Sequence, residues 1–516
     1  MSEERMYTPQ QLSELSTSLP DRIISRIDEN KTAEAIGLCR EMKDSIVDFH
    51  DLCAETTTAL WCWIGDQLGE DTLEEMFRYI LKQCGWRQCL TTGSILTAFP
   101  KFQAMLLAKS CWRAHSCFEG GEYPGRFTVT EDDDKFSFHL EPCGSGGRLL
   151  LKGRYAPPFG AQFTKQSHWW TRNRSRYPYY CVHCCFVNEI VPFEALGYLT
   201  WPMDLARHAS GEHCIWHVYK DPNSIPTEYY EQFGFQKKRV PVLPPKHPKE
   251  RYFSDAELAE MARPLPDRIV EHLKNAEDRK ALRLCNEVKD ESLFLHDLYI
   301  NAIVSTLTFI AAKKGEEGLE EAIRFQYEKC VQEQWISRAT SFSLQELVSF
   351  LSVRLFGADA CNGKGLPSAK YTVAEDNESI TFTLDPCGSG GRLMRSGVYE
   401  PFPLWKRWIE KVIDFSIVSS GKYLPLNDSI LYWAYSRTYG GTTSQRKPFD
   451  QGRTKKAHRW SFQREGVPYF CCFCGMMQER LGTSCCTITP PRTRNSPCVW
   501  KIAKHSRWGP RYSNVR

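Results

Sequence analysis

The sequence predicts an α+β fold built twice. Each internally duplicated unit has an N-terminal helical bundle and a small antiparallel β half that carries a Gly-rich turn and a Cys-x-x-Cys segment. Three observations predict it. Leu19-Pro20-Asp21-Arg22-Ile23 returns as Leu265-Pro266-Asp267-Arg268-Ile269, 246 residues later. Cys143-Gly144-Ser145-Gly146-Gly147-Arg148-Leu149 returns as Cys387-Gly388-Ser389-Gly390-Gly391-Arg392-Leu393, after 244 residues. Pro178-Tyr179-Tyr180-Cys181-Val182-His183-Cys184 returns as Pro468-Tyr469-Phe470-Cys471-Cys472-Phe473-Cys474. A period near 245 residues is far beyond a solenoid repeat of roughly 20–50 residues, so each copy can build its own core.

The elements follow in order. Thr8 with Gln11, and Ser254 with Glu257, have the spacing of capping boxes: a hydroxyl at the N-cap and an amide or carboxylate three residues on satisfy the first free amides. Apolar residues at helical spacing run through Ile23, Ile27, Ala35, Leu38, Met42 and Ile46, and again through Ile269, Leu273, Ala281, Leu284 and Val288. Helices near 44–68 and 72–85 are matched by 290–314 and 318–333. Period-two alternation then replaces helical spacing at Phe127–Thr130 and Phe136–Leu140, and at Tyr371–Ala374 and Ile380–Leu384. Each pair flanks an acidic turn and reads as a β-hairpin. The glycine loop leads to a short strand at 149–151, the Cys-x-x-Cys pair falls in a strand-like or loop segment, and a last strand covers Cys214–Tyr219.

The domain boundaries expected are 1–235 for the first unit, a Pro- and Lys-rich linker over 236–253, and 254–516 for the second unit. Cys143 to Cys181 spans 38 residues but Cys387 to Cys471 spans 84, which places an insertion at about 404–449. A basic, irregular tail covers about 485–516, and solvation is the reading favoured for it.

Bulk composition narrows the function classes. A net charge of +4 over 516 residues gives no case for nucleic acid or a membrane surface. Glu3 and Glu4 open the chain with no apolar run, so no secretory signal is read there, and the expected compartment is the cytoplasm. The apolar stretch 293–312 contains His296, Asp297 and Asn301 and reads as a buried helix. In a reducing compartment, 22 cysteines point to core residues, metal ligands or redox groups rather than a disulfide frame.

Two cysteines separated by two residues can direct both sulfurs at one tetrahedral ion, about 2.3 Å from zinc. Cys181/Cys184 and Cys471/Cys474 have this spacing in a shared Pro-Tyr-aromatic context. Further ligands should also occur twice. His168 and His458 each precede the first Cys of the pair by 13 residues, Cys143 and Cys387 head the glycine loops, and Cys214-Ile215-Trp216 is echoed by Cys498-Val499-Trp500. A closed zinc site needs four ligands, so of Cys143, His168, Cys181, Cys184 and Cys214 at least one has another role. His213 and His217 are candidates in the first copy only, since Pro497 and Lys501 replace them in the second. Against all of these stands burial alone, because free cysteine packs as a small hydrophobe.

The glycine loop could cradle an anion with Arg148 as clamp. Continuation into a strand favours instead a tight turn in which glycine supplies positive φ. His50-Asp51 and His296-Asp297 read as a core histidine beside an exposed carboxylate, because adjacent helical positions do not face each other. Lys43-Asp44 and Lys289-Asp290 read as a solvated helix face. Trp169, Trp170, Trp201 and Trp216 are core builders that could line an apolar pocket.

The function expected is that of a metal-binding tandem-repeat protein, with zinc as the ion, that could act as a metal-dependent enzyme on a small molecule. A non-enzymatic interaction scaffold is the alternative, and a thiol oxidoreductase a second. The partner is a small molecule or a protein of unspecified identity.

Overall fold

The structure is a computed structural model that describes residues 5–83, 100–115, 123–205, 214–240, 250–326, 328–330, 343–356, 370–377, 379–385, 486–489 and 498–503. Its elements are mixed helices and small antiparallel sheets, an α+β fold. Cys387, His458, Cys471, Cys474, His213 and the segment 404–449 lie outside the described residues, as does most of the tail.

In chain order the first helices are α1 (Pro9–Leu15), α2 (Leu19–Asp28), α3 (Thr32–Gln67), α4 (Asp71–Gln83) and α5 (Pro100–Ala114). The hairpin β1 (Phe127–Glu131) and β2 (Lys135–Leu140) follows, then α6 (Gly146–Leu151), α7 (Tyr179–Cys184), α8 (Val191–Leu196), β3 (Met203–Asp204), β4 (Cys214–Tyr219) and α9 (Thr227–Glu231). The chain continues with α10 (Asp255–Met261), α11 (Leu265–Lys274), α12 (Asp278–Gln326) and α13 (Leu344–Phe350). It closes with β5 (Lys370–Glu375), β6 (Ser379–Asp385), β7 (Cys486–Thr489) and β8 (Cys498–Ala503).

Both expected capping boxes are formed, Thr8 with Gln11 at the start of α1 and Ser254 with Glu257 at the start of α10. The break expected between 314 and 318 is a kink inside α12 at Gly315, whose φ of 72° is open to glycine without strain. The sheets have orders β1-β2-β4-β3 and β5-β6-β8-β7, antiparallel throughout. Leu140 faces Cys214 in the first, and Leu384 faces Cys498 at the same register in the second.

The described residues fall into two compact units. One draws on 1–60, 264–399 and 460–516, the other on 61–263. The amides ahead of α1 and α10 take no part in those helices and need acceptors. In the first unit Glu375 at the end of β5 takes them from Met6 (2.7 Å) and Tyr7 (3.0 Å). In the second unit Glu131 at the end of β1 takes them from Tyr252 (2.7 Å) and Phe253 (3.0 Å). The β5–β6 hairpin therefore holds the segment ahead of α1, and the β1–β2 hairpin the segment ahead of α10.

Within the first unit α12 packs on α2 and α11. Lys43 pairs with Asp267 at 2.8 Å and Lys289 with Asp21, so these lysines are reciprocal partners across the helix packing and not a solvated face. The Asp278–Gly315 part of α12 is long and apolar enough to cross a membrane, but 75% of its most apolar window is buried inside the fold. Glu291, His296 and Asn301 are buried along it. The expected separation of His50 from Asp51 is also corrected. His50 Nδ1 lies 2.9 Å from Asp51 Oδ1 and both residues are buried, since a short carboxylate can curl back to its neighbour's ring.

Two local expectations in the second unit are overturned. Residues 149–151 belong to helix α6, and Pro178–Cys184 leads into helix α7, continued through a π-helical turn at Cys185–Ile190 into α8. Short apolar runs carry no periodicity that separates strand from helix, and packing decided both.

Candidate functional site: a cysteine-lined cavity

The four cysteines singled out in the first repeat come from three separate places. Cys143 heads the glycine loop after β2, Cys181 and Cys184 sit one turn apart on α7, and Cys214 opens β4. All four line one cavity of about 300 Å³ in the second unit. None is in a disulfide and all four are partly exposed, whereas Cys185 is buried. Burial first, then the thiols of Cys214 and Cys143, pushes the Cys181 thiol well above its ordinary range. Burial, then Cys181 and Cys143, does the same to Cys184. Clustered thiols in a poorly hydrated site resist ionisation together unless a cation joins them.

The glycine loop exists for close approach. A Cβ placed at Gly146 would come 2.7 Å from Cys181 Sγ, so only glycine lets the start of α6 lie against that sulfur. Gly144, Gly146 and Gly147 are not among the positive-φ glycines, which corrects the expected reason for them. Arg148 is buried on α6 with its Nε donating to the Tyr123 carbonyl at 3.0 Å, so its guanidinium braces the chain rather than clamping an anion. Its amide donates to the Cys143 carbonyl at 3.0 Å and closes the loop.

Two histidines that the sequence reading missed also line the cavity. His115, in the residue after α5, has Nδ1 3.1 Å from Ser145 Oγ and 3.9 Å from Cys143 Sγ. His183, between the paired cysteines, has Nε2 3.4 Å from Cys184 Sγ. The two rings are nearly parallel with centroids 6.1 Å apart, and His115 meets the Trp216 ring edge-on at 4.9 Å. A search for motif positions that recur hid His183, because Phe473 stands at the matching place in the second Cys-x-x-Cys segment.

His168 is placed elsewhere. Its Nε2 lies 3.0 Å from Glu70 Oε2 and its ring stacks on Trp170. Burial would raise the Glu70 carboxyl, but hydrogen bonds from His168, the Lys165 amide, Tyr179 and the Gln166 amide hold it below the usual range. His168 thus fastens its loop to Glu70 and does not line the cavity. His217 faces away from the cavity: register puts it opposite Ser137, whose Oγ lies 2.9 Å from Nδ1, and Nε2 lies 3.0 Å from Asp204 Oδ2. Cys498 opens β8 at the position that Cys214 holds in β4.

The cavity wall is held by a buried ion pair. Arg172 and Glu189 form a two-toothed contact with both side chains buried. Arg172 also donates to the Met203 carbonyl at 2.7 Å, and the Met203 amide donates to Glu189 at 3.1 Å. Met203 is thereby fixed as a cavity wall, and Trp216, its partner in β4, as another.

Among the described residues no three His, Cys, Asp or Glu side chains already converge in metal-binding geometry. The arrangement is a set of soft donors around a space, rather than a closed tetrahedron. No protein-family model, curated protein or solved structure matches the chain.

Proposed function

We propose that Cys143, Cys181, Cys184 and Cys214 bind a soft divalent cation, zinc in the first instance, beside a cleft that admits a small molecule. The observation that carries this reading is the meeting of cysteines from a loop, a helix and a strand around one cavity. Thiolates favour zinc and other soft ions. A structural site would fill its four positions and leave no cleft. Here the donors stand around about 300 Å³ of space, far more than one ion needs. Three thiolates with an open position, or thiolates with His115 or His183, would let the ion polarise a substrate. In this reading the chain is a tandem duplication whose first repeat carries the working site, since Phe473 replaces His183 in the second.

A dithiol–disulfide function is the second reading, and placement of Cys181 in the first turn of α7 favours it. The upward shift of both thiols opposes it, since a redox pair needs a ready thiolate. The test is elemental analysis of anaerobically purified protein and of its Cys181→Ser/Cys184→Ser variant. About one zinc per site that the double variant loses is expected. Metal-free protein with a Cys181–Cys184 disulfide forming in mild oxidant would favour the redox reading instead.

A further inference from the structure

The cavity's walls specify what kind of molecule could occupy it. Besides the sulfurs and the two imidazoles, its lining includes Leu150, Leu151, Tyr177, Tyr180, Met203 and Trp216. Among the described residues that line it there is no Asp, Glu, Lys or Arg. Without a bound ion, a carboxylate entering such a site would leave its water and meet no Lys or Arg side chain among the described lining residues, which disfavours it against an uncharged ring. A volume of about 300 Å³ is at the small end of ligand pockets. A cavity of about 150 Å³ already accepts benzene. Room is therefore left for one substituted ring or a short branched chain beside an ion.

The mouth carries an independent sign. Leu151 is the large apolar side chain that stands exposed among the described residues, at 51%, and it lies on the cavity lining. It ends α6, the short helix whose first residue, Gly146, abuts the Cys181 sulfur, so one helix runs from the sulfurs to the rim. A lone exposed leucine is ordinary on a protein surface, but one at the rim of an uncharged cavity extends that cavity's apolar wall to solvent.

We infer that this cavity binds a small, uncharged, largely apolar molecule, aromatic or branched aliphatic, and that a thiol on that molecule would be its best anchoring group. The apolar part rests only on the walls. The thiol part rests on the metal reading above: a bound soft ion with an open position takes a thiolate in preference to water, with the proton lost to solvent or to His115.

The experiment is ligand-observed fluorine NMR on the full chain with 4-fluorotoluene, 4-fluorobenzoate and 4-fluorobenzyl mercaptan, with zinc content measured on the same samples. After chelation, fluorotoluene should bind at least tenfold more tightly than fluorobenzoate. Leu151→Lys, an exposed substitution, should weaken fluorotoluene at least fivefold without changing metal content. The mercaptan should bind at least tenfold better than fluorotoluene with metal present, and equally after chelation. No binding of fluorotoluene by the protein, or equal binding of the benzoate after chelation, overturns the ligand class while leaving the metal site standing. Binding of fluorotoluene by protein that never holds metal keeps the ligand class and removes both the metal site and the thiol preference.

Discussion

Gly146 and Cys181 are in direct apposition: any side chain at Gly146 would begin 2.7 Å from the Cys181 sulfur. The glycine loop and the Cys-x-x-Cys segment, separate in sequence, are thus two sides of one contact. Gly146→Ala should displace Cys181 and reduce metal content by more than half. It should also cost about 1–3 kcal/mol of stability from overpacking. Elemental analysis beside urea unfolding measures both. Gly153→Ala, in a positive-φ turn with open space around it, is the control, costing stability without losing metal.

Glu131 does more than hold the Tyr252–Phe253 segment ahead of α10. Its carboxylate also pairs with Lys220 at 2.9 Å, and both side chains are only 1% exposed. Glu131→Gln removes the charge that Lys220 needs, so it should cost about 3–5 kcal/mol. It should also speed hydrogen exchange at the Tyr252 and Phe253 amides. Unchanged exchange there would show that Glu131 does not hold that segment.

Arg172 and Glu189 fix Met203 through its backbone, and Met203 walls the cavity. Glu189→Ala leaves a buried guanidinium unpaired and should lower stability by about 3–5 kcal/mol. Any folded fraction should bind metal more weakly. Denaturant midpoints and metal titration check the two effects.

Cys39 and Cys285 give a pH dependence away from the cavity. Burial, and then Asp267, raises the Cys39 thiol from 9.0 to about 12. Burial, and then Cys39, raises Cys285 from 9.0 to about 12. A thiol whose folded value lies above its unfolded value contributes stability that is complete below the unfolded value and lost as pH rises toward the folded one. Stability should therefore fall between about pH 9 and pH 12. By pH 11 the loss is on the order of 2–3 kcal/mol per thiol. Cys39→Ala/Cys285→Ala should flatten this slope in urea midpoints, whatever it does to the neutral-pH value.

What could be read in the sequence was local. Thr8 with Gln11, the alternation of Phe127–Thr130 and Phe136–Leu140, and the strand at Cys214–Tyr219 all carry their pattern within a few residues. Leu149–Leu151 and Tyr179–Cys184 do not, because a short apolar run has no period of its own. The hold of Glu131 on the segment ahead of α10 was also invisible. Glu131 meets Tyr252 across 121 residues, and nothing near either marks the other. For the site, repetition brought out Cys143, Cys181, Cys184 and Cys214, which the fold brings to one cavity. The same filter kept His168, which the fold ties to Glu70, and discarded His115 and His183, which line the cavity.

The central claim is that the cysteines around the cavity close on an ion. X-ray absorption at the zinc edge of the full chain tests it most directly. The account predicts a first shell of three or four sulfurs at about 2.3 Å, reduced in Cys181→Ser/Cys184→Ser. A shell of nitrogen and oxygen alone, unchanged by that double substitution, would contradict it.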